Sequence, residues 1–187
     1  MDFDLNDAQS ELRARARVLA ETRIAARAAE IDDSREYPWD NVSALTEAGF
    51  MGMTIPIEYG GPGLGYLDAV LVIEEMARVC AVTGRIAVEA NLGALAAVLT
   101  YGTVAQKRRW AEAVLAGDKP AICITEPEAG SAASEMTTRA ERRGNGYVIN
   151  GGKHWITGEA TDEITTVKEI ELPPRHPAAR PTISISL

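Results

Sequence analysis

Histidine and cysteine are scarce in this chain: His154, His176, Cys80 and Cys123 are all it has. So few, so scattered, offer no histidine metal cluster and no zinc-type spacing. The cysteines stand far apart, and two reduced thiols are expected rather than a disulfide. Positive charge is also short. Nineteen Lys and Arg face 27 Asp and Glu, a formal net charge of -8, which repels phosphate backbones and excludes nucleic acid as an expected partner. The most apolar helical stretch, Ile86 to Leu99, is interrupted by Glu89 and Asn91 and falls short of a membrane span. Met1-Asp2-Phe3-Asp4-Leu5-Asn6-Asp7 is acidic and lacks the basic-then-apolar layout of a secretory signal. A soluble, cytoplasmic protein is expected.

What the sequence does contain is ample core material, since 46% of the 187 residues are hydrophobic and 25% charged. From Leu5 to Ile31, the residues Leu5, Ala8, Leu12, Ala16, Ala20, Ile24, Ala28 and Ile31 recur at helical steps and predict one helix. Arg13, Arg17, Arg23 and Arg27 line much of its remaining surface, with Glu11, Glu21 and Glu30 among them. A solvated face is the expectation there, ahead of a phosphate-binding one. Pro38 opens a short second helix through Val42, Leu45 and Ala48, and Gly49 stops it. The run from Pro56 to Gly65 is too rich in glycine and proline for regular structure and reads as a loop. It lacks the lysine of a P-loop. Asp68 is expected to cap a helix carrying Val72, Met76 and Val79, and a further helix carries Leu92, Leu95, Ala96 and Leu99. Thr103 and Gln106 have capping-box spacing and open a helix that closes at Gly117.

After Asp118 the pattern changes. Ala121–Thr125, Met136–Arg142, Tyr147–Asn150 and His154–Thr157 are short strand-compatible segments separated by glycine turns. Arg143-Gly144-Asn145-Gly146 carries a hairpin signal, and Asn150-Gly151-Gly152 joins the next segment. The fold class is therefore α+β: an amino-terminal α-helical domain (1–118), then an incomplete β-barrel-like domain (119–158), then a proline-rich tail (159–187).

Three separated segments carry a resemblance. Pro56-Ile57-Glu58-Tyr59-Gly60-Gly61 with Leu67-Asp68, Ile124-Thr125-Glu126-Pro127-Glu128-Ala129-Gly130-Ser131, and Tyr147 to Thr157 with its Lys153-His154-Trp155-Ile156-Thr157 end together resemble the acyl-CoA dehydrogenase family, from Met1 to about Gly158. The resemblance implies FAD as cofactor. It places Ile122, Cys123, Ile124, Thr125, Gly130 and Ser131 against the isoalloxazine ring and pyrophosphate, and Ser131 near an acyl-CoA substrate. It sets Trp155, Ile156 and Thr157 beside the flavin. On their own, Thr125 and Ser131 suit turn chemistry and Trp155 an ordinary core position. Ala132 stands where the family usually carries aspartate. Glu126 and Glu128 are expected to be structural or surface residues, and His154 a packing or surface residue.

In the family, the catalytic carboxylate belongs to a carboxy-terminal helical domain, so no catalytic residue and no metal ligand is assigned here. The whole reaction implied is α,β-dehydrogenation of an acyl-CoA thioester, with an electron-transfer partner. The portion in hand is expected to be inactive alone, to hold flavin weakly or not at all, and to be capable of homo-oligomerisation. Two alternatives stay open: a non-catalytic self-associating module, and part of a flavin-dependent monooxygenase of the same fold.

Overall fold

The computed structural model describes residues 4–34, 36–118, 121–144, 146–156 and 169–171, and the chain forms two compact units, Met1–Pro120 and Ala121–Leu187. In the first, α1 (Asp7–Leu19) opens on a reciprocal cap. The Asn6 side chain accepts from the Gln9 amide at 2.8 Å, and Gln9 accepts from the Asn6 amide at 3.2 Å. The single helix expected to Ile31 is interrupted by a π turn at Ala20–Ile24 and a 3-10 turn at Ala25–Arg27, after which α2 (Ala28–Ser34) resumes. The cause lies in the apolar spacing. Ala16, Ala20 and Ile24 recur every fourth residue, which drifts around an α-helix of 3.6 residues per turn, and a wider turn absorbs the drift. All three are fully buried.

The next helix, α3 (Trp39–Glu47), starts at Pro38. Gly49 ends it in the left-handed region at φ 74, with the Phe50 amide donating to the Leu45 carbonyl at 2.8 Å and the Gly49 amide to Thr46 at 3.0 Å. The Pro56–Gly65 segment is a loop with one 3-10 turn, Ile57–Tyr59. The residue that caps α4 (Tyr66–Val79) is Gly65, not Asp68. Asp68 sits three residues further on and reaches back, accepting from the Gly65 amide at 2.9 Å.

One further helix was expected over the following apolar stretch, but two form, α5 (Ala81–Asn91) and α6 (Ala94–Tyr101). The path Ala81–Tyr101, 21 residues at hydropathy 1.4, has the length and composition of a membrane span, yet 56% of its most apolar window is buried within the protein. Asn91 lies at the break, completely buried. Its Oδ1 accepts from the Met53 amide at 2.6 Å, while Nδ2 donates to the Phe50 and Ala87 carbonyls, each at 2.9 Å. Tertiary bonds thus hold the end of α5 against the 50–53 segment. The last helix of the unit, α7 (Val104–Leu115), opens on the Thr103–Gln106 capping box that the spacing predicts.

The core of this unit joins Ile24, Leu45, Phe50, Met53, Ile55, Val72, Met76, Leu95 and Val114. Removing each such side chain from water contributes about 1.5–3 kcal/mol. The arginines of the first helical segment do more than face solvent. Arg23 pairs with Glu47 of α3, Arg27 with Glu30 and Asp40, and Arg17 with the buried Glu75 of α4. Neither cysteine forms a disulfide; Cys80 is buried and Cys123 half-buried.

In the second unit, β1 (Arg139–Arg143), β2 (Gly146–Asn150) and β3 (Glu169–Glu171) form an open antiparallel sheet in the order β1-β2-β3. Arg143 pairs with Gly146, and Gly144 between them turns the chain at φ 58. Two expected strands are absent from the sheet. Ala121–Thr125 and the described part of 154–157 join no ladder. Strand-compatible residues make a strand only where a partner supplies paired amides and carbonyls.

Candidate functional site

The site begins at a tight turn. Glu126 and Ala129 exchange both backbone hydrogen bonds at 3.1 Å, leaving Pro127 and Glu128 exposed at the tip. Proline at the second position presets the turn. Gly130 and Ser131 follow, both exposed.

The Glu126 carboxylate points inward. It accepts from the Thr137 amide at 2.7 Å, the Thr137 hydroxyl at 2.9 Å and the Thr138 amide at 3.0 Å. Lys153 Nζ completes the set at 2.9 Å from Oε1. The Thr138 side chain, the Thr137 amide, Lys153 and the Thr138 amide hold the carboxyl well below the usual carboxylate range, with burial opposing them. Geometry favours the two amides, the Thr137 hydroxyl and the ammonium as the effective contacts, because the Thr138 hydroxyl is buried without a hydrogen-bond partner among the described residues. A carboxylate so strongly held in its charged form is a poor proton acceptor near neutral pH. Glu126 is a structural anchor.

Lys153 does two further things. Its Nζ donates to the Ile124 carbonyl at 2.9 Å and lies 3.2 Å from Met136 Sδ. One residue on, the His154 amide donates to the Thr125 carbonyl at 2.9 Å. The segments 122–125 and 153–156 are thereby held side by side without forming a ladder. Along this edge Ile122, Cys123, Thr125 and Ile156 are half-buried, while Ile124 is 41% and Trp155 87% exposed. His154 is exposed and meets the Trp155 ring edge-on, centroids 6.2 Å apart. Thr157 lies outside the described residues.

Trp155 is the unusual member. Its backbone sits at φ 58, and no other described non-glycine residue has positive φ. For a bulky side chain that conformation is a genuine outlier, of the kind found at ligand sites. Here it accompanies a large aromatic surface shown to solvent. Gly130 is unusual in the opposite sense. Gly151 needs its glycine, since it has φ 152 and an added Cβ would collide with Thr138 Oγ1. Gly130 has no positive φ, and its added Cβ would meet nothing within 4 Å. Neither backbone strain nor packing against the described residues accounts for that glycine. The space beside it admits a close approach by another molecule, and an exposed indole suits the face of a flat aromatic ring. These residues fit a flavin.

The structure adds Lys153, Thr137 and Thr138 to the residues singled out in the sequence. Lys153 stood inside the recognised segment, but the partner that gives it a role is far away along the chain. Among the described residues, no group of three His, Cys, Asp or Glu is placed to hold a metal ion.

Comparison with known proteins bears on this geometry. The family model described as "Acyl-CoA dehydrogenase, N-terminal domain" matches residues 6–118, and that described as "Acyl-CoA dehydrogenase, middle domain" matches residues 121–172. A 3-sulfinopropanoyl-CoA desulfinase of Variovorax paradoxus is 60% identical over 162 residues, covering 87% of this chain and 41% of that protein. Three more desulfinases of that name, from Cupriavidus necator, Paraburkholderia xenovorans and Advenella mimigardefordensis, are 60%, 58% and 53% identical. A probable medium-chain specific acyl-CoA dehydrogenase of Caenorhabditis briggsae is 37% identical, covering 84% of this chain and 39% of that protein. Among solved structures, a glutaryl-coenzyme A dehydrogenase with glutaryl-CoA superposes at a TM-score of 0.79 and 34% identity, covering 83% of this chain and 40% of that one. A glutaryl-CoA dehydrogenase of Mycobacterium smegmatis in complex with FADH2 superposes at 0.76 and 25% identity, covering 81% and 39%. The chain thus spans about two-fifths of the length of these relatives (41% of the Variovorax protein). With matched models lying on both units and relatives sharing its sequence and fold, the chain belongs to the acyl-CoA dehydrogenase family.

Proposed function

We propose that this chain is the amino-terminal, flavin-facing portion of a flavoprotein that acts on acyl-CoA thioesters, with FAD lying against Ile122, Cys123, Ile124, Thr125, Gly130, Ser131, Trp155 and Ile156. The observation that carries this is Trp155, 87% exposed at φ 58 and placed next to Thr125 by the His154 hydrogen bond. An exposed aromatic in a strained backbone gains from burial against a flat partner. Thr125 and Ser131 bring hydroxyls, and their segments bring amides, for the ring and pyrophosphate oxygens. In a dehydrogenation, bound FAD would supply hydride acceptance from a substrate carbon. The chain's own contribution is to orient that ring. Glu126, committed to its anchors, is not poised to take a substrate proton.

For the whole protein we propose 3-sulfinopropanoyl-CoA as the substrate. Four relatives of that specificity are 53–60% identical, against 37% for the medium-chain dehydrogenase relative. Desulfination replaces the terminal C–S bond by C–H, the sulfinate leaving with an oxygen from water as sulfite, so no external oxidant is consumed. The second reading is α,β-dehydrogenation, supported by the family match and requiring an electron acceptor. A fusion of residues 1–158 to the remaining part of the Variovorax relative separates the two. Sulfite release from 3-sulfinopropanoyl-CoA without an acceptor supports the first, and acceptor reduction by a saturated acyl-CoA without sulfite release supports the second. A folded, flavin-loaded fusion that does neither contradicts both.

A further inference from the structure

Two facts need a common explanation. Among the described residues no sheet ladder joins the segments 122–125 and 153–156, which lie side by side, and a lysine side chain only 12% exposed is buried beneath that edge. Hydrophobic packing alone does not favour burying an ammonium. The ammonium is nonetheless fully engaged, donating to the Ile124 carbonyl at 2.9 Å and to Glu126 Oε1 at 2.9 Å beside Met136 Sδ. The carboxylate it meets is in turn held by Thr137 and Thr138, the residues that lead into β1. Lys153 therefore ties three pieces of backbone to one point: the 122–126 segment, the 137–138 segment and its own.

We propose that Lys153 is a positioning residue whose ammonium, clasped between Glu126 and the Ile124 carbonyl, sets the register of the flavin-facing edge and holds Thr125 beside His154 and Trp155. The inference rests on the flavin-facing reading for its ligand, but the clasp is a property of this chain alone. A charged donor gathering a carbonyl and a carboxylate fixes distance and direction more tightly than apolar contact does. With no ladder between its two described segments, the edge needs that constraint to keep Trp155 in its uncommon backbone conformation. Lys153 acts through the backbone, not on a reacting atom.

The test is amide hydrogen exchange on the full 187-residue chain, comparing Lys153→Met, Lys153→Arg and Glu126→Gln with the wild type. In Lys153→Met the His154 amide should exchange about tenfold faster or more, the loss expected when a charge-assisted bond is removed. The β1–β2 hairpin amides and the helical-unit amides should stay protected. Lys153→Arg should restore most of the His154 protection, and Glu126→Gln should lose part of it. Unchanged protection at His154 overturns the proposal. So does loss of the hairpin together with His154, which would make Lys153 a general stabiliser of the unit. FAD titration of the same proteins separates the two layers. Weaker FAD binding by Lys153→Met than by wild type supports the clasp's role at the ligand, and equal binding refutes it. If FAD perturbs no edge residue in the wild type, the flavin-facing reading fails, while the exchange experiment still decides whether Lys153 positions the edge.

Discussion

Arg17 grips the buried carboxylate of Glu75 with two nitrogens, Nη2 at 2.6 Å from Oε1 and Nε at 3.1 Å from Oε2, and so ties α1 to α4. Arg78 meets the same carboxylate at 3.2 Å and carries the chain of charges on to Glu21 at 2.8 Å. A forked guanidinium on a carboxylate fixes direction as well as distance. The hydrogen bond from Arg17 holds the Glu75 carboxyl below its ordinary value first, burial works against it, and Arg78 adds to the depression.

That depression sets a pH dependence. A carboxyl whose folded value lies below the unfolded one of about 4.3 contributes stability that is complete above that pH and is lost as pH falls through the folded value. Urea midpoints of the wild type should therefore decline as pH drops below about 4. Glu75→Gln should have a lower midpoint at neutral pH, and its gap to the wild type should narrow in acid. A gap that widens in acid contradicts the assignment.

In the helical core, Leu45 is completely buried. Leu45→Ala should cost about 2–5 kcal/mol, from lost burial and the cavity left behind. Urea denaturation with an unchanged slope checks it.

Gly49 and Gly130 should respond oppositely to alanine. Gly49 sits at φ 74 with open space around it, so Gly49→Ala meets only backbone strain and should cost ~1 kcal/mol. Gly130 has neither strain nor a neighbour. Gly130→Ala should leave stability within about 0.5 kcal/mol and weaken FAD binding. Comparing the urea midpoints and FAD titrations of the two variants tests both halves.

The chain alone should not turn over. Supplied with FAD, an acyl-CoA and an artificial electron acceptor, it should reduce no acceptor, and it should release no sulfite from 3-sulfinopropanoyl-CoA. Steady turnover of either kind would mean that a proton acceptor is present within these residues.

Much of this was legible in the sequence where the cause is local. The Thr103–Gln106 box, the stop at Gly49 and the turn beginning at Gly144 are set by residues within a few positions of each other. The break between α5 and α6 was not, because it depends on Asn91 reaching Met53 and Phe50 across the fold. Nor was the π turn at Ala20, where a four-residue apolar spacing passes for an ordinary helix until the core fixes which side chains must face in. At the site, glycine, threonine and tryptophan could be picked out by motif, while Lys153 could not be given a role, since the Glu126 that engages it is distant in sequence. Strand-like composition also misled at 121–125, where the His154 amide and the Lys153 ammonium bond the Thr125 and Ile124 carbonyls in place of a ladder.

The central claim is that one edge of this chain faces a flavin. The measurement that tests it most directly is backbone and indole NMR of the labelled chain during titration with FAD to millimolar concentration. The account predicts weak, saturable shifts confined to Ile122–Thr125, Gly130, Ser131 and Trp155–Thr157, with the helical unit and the β1–β2 hairpin unmoved. Shifts elsewhere in the chain, or none at all, would contradict it.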